Sequence, residues 1–557
     1  MKLRRIAGGF LALVLVSAIL VWANFDRILL TVPGMLIDLR TPTGPNQPIV
    51  WQTGTVAERD DRPNIVLIVA DDLGWNDITF YGGGVAGGTV PTPHIDSIAQ
   101  NGVHLSNARA ASAVCAPSRA AIMTGRYPTR YGYEFTPMPD GMAALTRRLD
   151  RHRPDSDILP MISHLNREVS QAVFSDMGVP QSETMIPELL RQQGYHTVHI
   201  GKWHLGDTGG SQPTAQGFHE SLNLASLLYL PEDHPDAVNA YQPLDPIDRF
   251  FWSVGRFAVN WNGGPRFEPD RYLTDYLTQQ AVSAIEANRE RPFFLYLAHW
   301  APHTPLQALR EDYETLAHID DHNLRVYAAM ILALDRGVGE VLQALEDNGL
   351  SENTLVIFTS DNGGAHYVGF PDINQPYRGW KTTFFEGGIR VPFFMQWPAR
   401  IAAGGHYQDI AHHLDLFPTV AAAAATEANL SLELDGRNLL PGLTGQLDDA
   451  LSPQYSRSPV FWRSGHYRVV MNGHWKLQIT ERPDRTWLFN LAEDPTEQNN
   501  LADQYPDRID AMMDLLHEHE QDLPPPGWPS VLEAPITIDK PLGVPITPQD
   551  EYIYWPN

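Results

Sequence analysis

The chain has 557 residues, with 66 acidic against 40 basic side chains for a formal net charge of −26, and one cysteine, Cys115. A lone cysteine excludes an intramolecular disulfide and a cysteine-based zinc or iron–sulfur cluster, and the acidic balance argues against a nucleic-acid binder, whose footprint is a basic surface. With 43% hydrophobic and 19% charged residues the chain is neither disordered nor a multi-span membrane protein, and its length leaves room for roughly 2 to 4 domains.

At the N-terminus, Lys2, Arg4 and Arg5 precede an uncharged apolar run from Ile6 to Phe25. A basic start followed by an apolar stretch reads as an export signal. The run is also about long enough to cross a bilayer, so residues 1–25 are expected to be either a cleaved signal peptide or a retained membrane anchor. Either way the protein is expected to be exported, in the periplasm or anchored facing it. A shorter apolar patch, Ile28–Ile37, is suited to lie along a membrane surface. Residues 26–62 otherwise read as a linker, polar and containing Pro42, Pro45, Asn46 and Pro48.

From Pro63 onwards short apolar runs alternate with helical patterns. Strands are predicted at Ile65–Ala70, Thr197–Ile200, Phe293–Ala298, Leu355–Thr359 and Pro392–Gln396, and runs apolar on both faces suit strands covered by helices on both sides. Helices are predicted at Met185–Gln193, Arg271–Arg291 and from about Asn323, where Ile331, Leu334, Val338, Val341, Leu342 and Leu345 recur at helical spacing. The alternation predicts an α/β domain over residues 63–450 built on a mostly parallel sheet. Beyond it, Tyr467–Met471, Trp475–Ile479 and Trp487–Asn490 read as short antiparallel strands, followed by a helix at Pro506–Glu520 and a Pro-rich tail from Leu523. Residues 451–557 are therefore expected to form a small α+β domain.

Polar clusters stand directly after four of the predicted strands: Asp71 and Asp72; Lys202 and His204; His299 and His303; Asp361 and Asn362. In open α/β sheets ligands bind beyond the carboxyl ends of the strands. Asp71, Asp72, Asp361 and Asn362 form an all-oxygen ligand set, suited to Ca²⁺ or Mg²⁺. Arg119, Lys202 and Lys381, with His204 and His303, suit an anionic substrate or transition state. A metal, a cationic cradle and two histidines together suggest transfer of a phosphoryl or sulfuryl group.

The segment CAPSRAAIMTGR, residues 115–126, resembles the signature of type I sulfatases in the alkaline phosphatase superfamily. Other motifs agree in chain order: ADDLGW (70–75), GKWHLG (201–206), APHTP (301–305), SDNGG (360–364) and GWKTTFFEGGIRVP (379–392). The resemblance spans roughly residues 63 to 500 and implies an alkaline-phosphatase-like α/β fold with a smaller C-terminal domain. It also implies that Cys115 is oxidised by a dedicated maturation enzyme to Cα-formylglycine (3-oxoalanine). By the same resemblance Asp71, Asp72, Asp361, Asn362 and the modified Cys115 would bind one Ca²⁺, with Mg²⁺ the alternative ion. Arg119 and Lys202 would hold the formylglycine hydrate and the metal-side oxygens. Lys202 and Lys381 would clamp the sulfate, His303 with Lys381 would protonate the leaving alcohol, and His204 would help collapse the sulfated intermediate.

A geminal diol offers two hydroxyls, one to attack sulfur and one, once deprotonated, to expel sulfate; a serine or a thiol lacks the second. The function expected is hydrolysis of a sulfate ester, of a sulfated carbohydrate rather than a small aryl sulfate. A phosphodiesterase or phosphonate hydrolase, and a non-catalytic sulfoglycan-binding protein, are the alternatives. Substrate recognition should lie in the loops between motifs. Residues 134–182 include the run Arg147-Arg148-Leu149-Asp150-Arg151-His152-Arg153, a solvated face or a subsite for an acidic sugar. Residues 225–267 carry Tyr229, Tyr241, Phe250, Phe251, Trp252, Phe257 and Trp261, rings for packing or for sugar stacking. His366, Tyr377 and Arg378 are the candidates for contact with the leaving group.

Overall fold

The computed structural model describes residues 32, 34–35, 38–55, 61–138, 140–151, 159–164, 174–225, 227–425, 433–445 and 459–557. The apolar run Ile6–Phe25, read as signal or anchor, lies outside these residues. Among the described residues no helix is long and apolar enough to cross a membrane.

A 10-stranded sheet organises the molecule. From edge to edge its strands are Gly405–Tyr407, Val103–Leu105, Phe393–Gln396, Thr354–Ser360, Asn64–Ala70, Phe293–Ala298, His196–Gly201, Glu220–Leu224, Val259–Trp261 and Arg266–Phe267. The strands from Thr354–Ser360 across to Glu220–Leu224 run parallel. Antiparallel pairing begins on either side of them, where Phe393–Gln396 meets Thr354–Ser360 and Val259–Trp261 meets Glu220–Leu224.

The near-continuous apolar strands have a physical reason. Successive side chains of a strand point to opposite faces, and here both faces are covered. Val66, Ile68 and Ala70 enter one core with Leu295, Leu297, Val356 and Phe358, under the helices Leu273–Asn288 and His322–Asp347. Ile65, Leu67 and Val69 enter the other with Phe294, Tyr296, Leu355 and Ile357, under the helices Cys115–Thr124, Ile186–Gln192 and Leu416–Ala423. The 26-residue helix His322–Asp347 starts where the Asp321 carboxylate accepts from Leu324 N at 2.8 Å, an N-cap, and buries Ile331, Leu334, Val338, Val341 and Leu345 on one stripe.

The C-terminal part is an antiparallel sheet of Val460–Ser464, Tyr467–Asn472, Trp475–Glu481 and Asp484–Asn490. Val470, Leu477 and Leu488 on one face pack against Met512 and Leu516 of the helix Pro506–Glu520. The segment after Leu523 does not trail away as expected. It folds back as the pair Leu532–Thr537 and Tyr552–Pro556, joined by Ile162–Ser163, and buries Ile553 and Trp555 in the main core.

A buried ion network ties the two parts together. Arg109 pairs with Glu386 (Nη2–Oε2 2.7 Å), and Lys476 of the C-terminal sheet bridges Glu386 at 2.8 Å and Glu497 at 2.9 Å. Glu386 lies only a few residues beyond Lys381, so the C-terminal sheet braces the loop that carries that lysine. The rings of the 225–267 insertion divide: Phe250, Phe251, Trp252 and Trp261 are half-buried, and Tyr241 is exposed. Tyr229 and Phe257 are core residues, and Trp261 meets Trp51 edge-on at 4.7 Å.

Candidate active site

Parallel strands deliver their next residues to one edge of the sheet. Asp71 and Asp72 follow Asn64–Ala70, Asp361 and Asn362 follow Thr354–Ser360, and Lys202 follows His196–Gly201. His303 follows Phe293–Ala298 after a short turn. Cys115 is the first residue of the helix Cys115–Thr124, and its Sγ stands 3.3 Å from Asp71 Oδ1 and 3.6 Å from Asp72 Oδ1. Three residues at the cluster hold left-handed backbone: Asp72 (φ 63°), His204 (φ 62°) and Thr382 (φ 71°), which follows Lys381. For a β-branched threonine this is strained and must be held by its surroundings; Thr382 N donates to Ala113 O at 2.8 Å, tying the Lys381 loop to the segment that leads into Cys115.

Beneath the cluster lies Arg119, fully buried. Its Nε donates to Asp361 Oδ2 at 2.8 Å, its Nη2 stands 3.5 Å from Asp71 Oδ2, and its Nη1 donates to Lys202 O and the Tyr296 hydroxyl. Lys202 Nζ pairs with Asp71 Oδ2 at 2.6 Å and lies over the Trp300 ring, 4.6 Å from its centre. Lys381 Nζ donates to Asp72 Oδ2 at 2.8 Å and stands 3.3 Å from His303 Nε2. The Tyr367 hydroxyl donates to Asp72 Oδ2 at 2.9 Å and accepts from Lys381 Nζ at 3.0 Å.

These contacts decide the charge states. Burial would raise the Asp72 carboxyl, but the ammonium groups of Lys381 and Lys202 hold it well below the ordinary carboxylate range. Burial and the neighbouring Asp71 carboxylate raise Asp361 in spite of Arg119. Burial opposes the charge on Lys381, yet Asp72 keeps the ammonium protonated well above its ordinary range. Burial pushes His303 down to about 3, with Asp72 opposing and Lys381 adding to the push. Its Nδ1 meets Thr304 O at 2.6 Å, so the neutral ring donates there and turns the Nε2 lone pair to Lys381. Burial, Lys202 and Arg119 also depress His204, which is half-buried with its Nδ1 unpartnered. The Cys115 thiol is raised well above its ordinary value by burial and by Asp361 and Asp71, which makes an unmodified thiol here a poor nucleophile.

The donor set fits a hard divalent cation. Asp71, Asp72, Cys115 and His303 can each bring one ligand atom within 4.8 Å of the others. Asp72 N donates to Asp361 Oδ1 at 3.2 Å and Asn362 Nδ2 donates to Asp72 Oδ1 at 2.8 Å, so those two residues line the same cleft. Asn362 Oδ1 is buried without a hydrogen-bond partner, on a side chain whose amide nitrogen already meets the Asp72 carboxylate. An orphaned amide oxygen beside a carboxylate is what a calcium-sized ion satisfies.

The remaining expectations separate. His366 is buried in the short turn His366–Val368 beside Tyr367. Arg378 is placed elsewhere. Its guanidinium is not delivered to the cluster but closes on Asp539 at 2.5 and 2.7 Å and on Glu551, because the C-terminal segment folds back over it. Tyr377 likewise packs edge-on against Trp75 at 5.2 Å. Of the Arg147–Arg153 run, the part through Arg151 lies in the helix Asp140–Arg151, and His152 and Arg153 lie outside the described residues. Sequence reasoning missed Tyr367 and Trp300; their only signal was adjacency to SDNGG and to the APHTP motif.

The chain matches the sulfatase family model over residues 63–426. It matches the model for the C-terminal part of N-sulphoglucosamine sulphohydrolase over residues 378–522. It is 31% identical to N-acetylgalactosamine-6-sulfatase of Mus musculus over 515 residues, 84% of this chain and 88% of that protein. It is 28% identical to N-acetylgalactosamine-6-O-sulfatase of Bacteroides thetaiotaomicron, covering 88% of this chain and 98% of that one. Among solved structures, Ps i-CgsB in complex with k-i-k-neocarrahexaose aligns at TM-score 0.67 and 31% identity, covering 84% of this chain and 94% of that one. The phosphonate monoester hydrolase of Agrobacterium radiobacter shares the fold at TM-score 0.55 and 19% identity, covering 83% of this chain and 96% of that one.

Proposed function

The chain belongs to the sulfatase family, in the alkaline phosphatase superfamily, and is a sulfuric ester hydrolase; on that premise we propose that it removes sulfate from a sulfated carbohydrate, using Cys115 matured to formylglycine and one Ca²⁺. The observation that carries this reading is the meeting of Cys115, the acidic ligand set and the cations Lys202, Lys381 and Arg119 at one sheet edge. Substrate class rests on the relatives, several of which are named for sulfated sugars.

Asp71, Asp72, Asp361, Asn362 and the modified Cys115 would hold the ion, which supplies a fixed positive charge against the sulfate oxygens. Cys115, once modified, would supply the attacking oxygen. Arg119 sets the two ligand-bearing strands in place by pairing with Asp71 and Asp361 at once. Lys202 and Lys381 flank the nucleophile from opposite sides, one on Asp71 and the other on Asp72, and face the charge that grows on sulfate in the transition state. On the leaving-group side the proton sits on Lys381 Nζ, since His303 is neutral and turns a lone pair toward it. His303 thus orients the Lys381 donor, and the pair delivers the proton to the departing alcohol. His204, depressed and unpartnered at Nδ1, is available as the base for the second half-reaction.

The basic and apolar N-terminus supports export, to the periplasm or to a membrane-anchored position facing it, and the CAPSR segment supports a formylglycine-generating enzyme as a maturation partner. The test uses enzyme co-expressed with such a maturation enzyme. Sulfate release from sulfated monosaccharides is expected, lost on chelation and restored by Ca²⁺, with the Cys115 peptide carrying the mass of the aldehyde. Cys115→Ala is expected to abolish turnover while the fold persists. A higher kcat/KM for phosphate diesters, or turnover by enzyme with only unmodified thiol, would refute the reading.

A further inference from the structure

The 225–267 insertion surrounds the leaving-group side of the site. The Tyr229 hydroxyl shares its one proton between Trp300 O at 2.9 Å and His303 O at 2.8 Å, and Trp300 Nε1 donates to Leu227 O at 3.2 Å. Gln242 Nε2 reaches Val368 O, at the end of the turn that carries Tyr367. Between these anchors stands the helix Pro246–Val254, N-capped by the Asp245 carboxylate on Ile247 N at 2.9 Å and packed against the Asp140–Arg151 helix of the other insertion. Trp252 of this helix packs onto the main core. Phe251 differs. It is half-buried, and among the described residues its ring contacts are Phe250 at 6.2 Å and His303 at 6.0 Å, tilted 43° to the imidazole.

A phenyl ring with open surface beside a pocket of ions has no ionic partner to satisfy and leaves apolar area in water, so it calls for an apolar occupant. The position names that occupant. The alcohol oxygen that leaves sulfate must reach the Lys381–His303 pair, so the group bonded to that oxygen lies beside His303, whose ring is stacked on buried Trp300 at 4.1 Å and has the half-buried Phe251 ring 6.0 Å away. We propose that Phe251 is a specificity-determining residue, the platform on which the C–H face of the sugar ring bearing the sulfate ester rests. This rests on the sulfatase reading and extends it: the preferred leaving group is a pyranose with one apolar face, and the helix Pro246–Val254 selects for it. Phe251 acts by binding the ring, so its contribution falls on substrate and not on sulfate itself.

The test uses matured enzyme, N-acetylgalactosamine 6-sulfate as the sugar probe, and inorganic sulfate as a product inhibitor that occupies only the ionic pocket. Phe251→Ala is expected to raise KM for the sugar about tenfold, a magnitude usual for losing one aromatic contact. The Ki for sulfate should stay within twofold, and Phe251→Trp should restore KM. An unchanged KM in Phe251→Ala, an equal rise in the sulfate Ki, or a Trp variant no better than Ala would each overturn the platform. Wild-type enzyme that releases sulfate from aryl sulfates but from no sulfated sugar would also overturn it. Wild-type enzyme that hydrolyses no sulfate ester fails at the earlier step, the sulfatase reading itself, and takes the platform with it.

Discussion

Tyr367 carries a role that its residue type does not announce. One hydroxyl donates to Asp72 Oδ2 and accepts from Lys381 Nζ, so it fixes at once the carboxylate proposed as a metal ligand and the cation proposed to face the leaving group. Groups that orient ligands in this way commonly account for ten- to a hundredfold in affinity or activity. Tyr367→Phe is therefore expected to lower kcat by about tenfold or more and to weaken Ca²⁺ binding, read by activity and by calorimetric titration of the ion. Unchanged values for both would show that Asp72 and Lys381 hold their positions without it. Residue scale also explains the division between His303 and Lys381. Burial depresses an imidazole and the Asp72 carboxylate sustains an ammonium, so two groups 3.3 Å apart take opposite protonation states. The sequence names both residues but not which of them holds the proton.

Among the elements, the Trp475–Glu481 strand reaches the catalytic half through a buried ammonium. Lys476 sits between Glu386 and Glu497, and all three side chains are fully buried. Such a network stabilises only while every charge has its partner. Lys476→Met removes the cation shared by two carboxylates and is expected to cost about 3–5 kcal/mol in chemical denaturation. Because Glu386 belongs to the segment that positions Lys381, kcat of the folded enzyme should also fall. A variant as stable as wild type would mean that Arg109 and Arg390 alone neutralise Glu386. The helices and strands themselves were readable from periodicity, since a central strand buried on both faces must be apolar throughout. Ile65–Ala70 and Phe293–Ala298 are such cases. The return of Leu532–Thr537 and Tyr552–Pro556 onto Ile162–Ser163 was not readable, because prolines in that stretch suggested a tail and the pairing partner lies hundreds of residues earlier.

For the whole molecule, buried titratable groups set a stability window. Burial holds His199 and His413 at about 3 and His299 at about 4, against an ordinary value of 6.5. Below pH 6.5 the unfolded chain takes up protons that these folded histidines refuse, so stability is lost as pH falls toward 4. Burial acts the other way on Asp77 and Asp248, raising each to about 8 from 3.8. These acids stay protonated when folded and ionise when unfolded, so stability also declines as pH rises from 6.5 to 8. The carboxyls of Asp77 and Asp248 oppose the acid limb, but the buried histidines outnumber them. Melting temperature is therefore expected to peak near pH 6.5, and Asp77→Asn should flatten the alkaline limb. A melting temperature that climbs steadily to pH 8 would contradict the protonated state of both acids.

A net charge of −26 repels a sulfated substrate at long range. Attraction must come from Lys202, Lys381 and Arg119, which the fold gathers within contact of three carboxylates and which a bound cation would leave in excess. Taken alone, the sequence located the strands of the sheet and set Asp71, Asp72, Cys115, Asp361 and Asn362 at strand ends or a helix start, because those places follow from local apolar periodicity and short motifs. Only the tertiary structure decided that Arg378 serves the C-terminal segment, that Tyr367 joins the site and that Phe251 faces His303. Those outcomes depend on which way a loop side chain turns, and that is set by partners distant in sequence, whose approach no local pattern encodes.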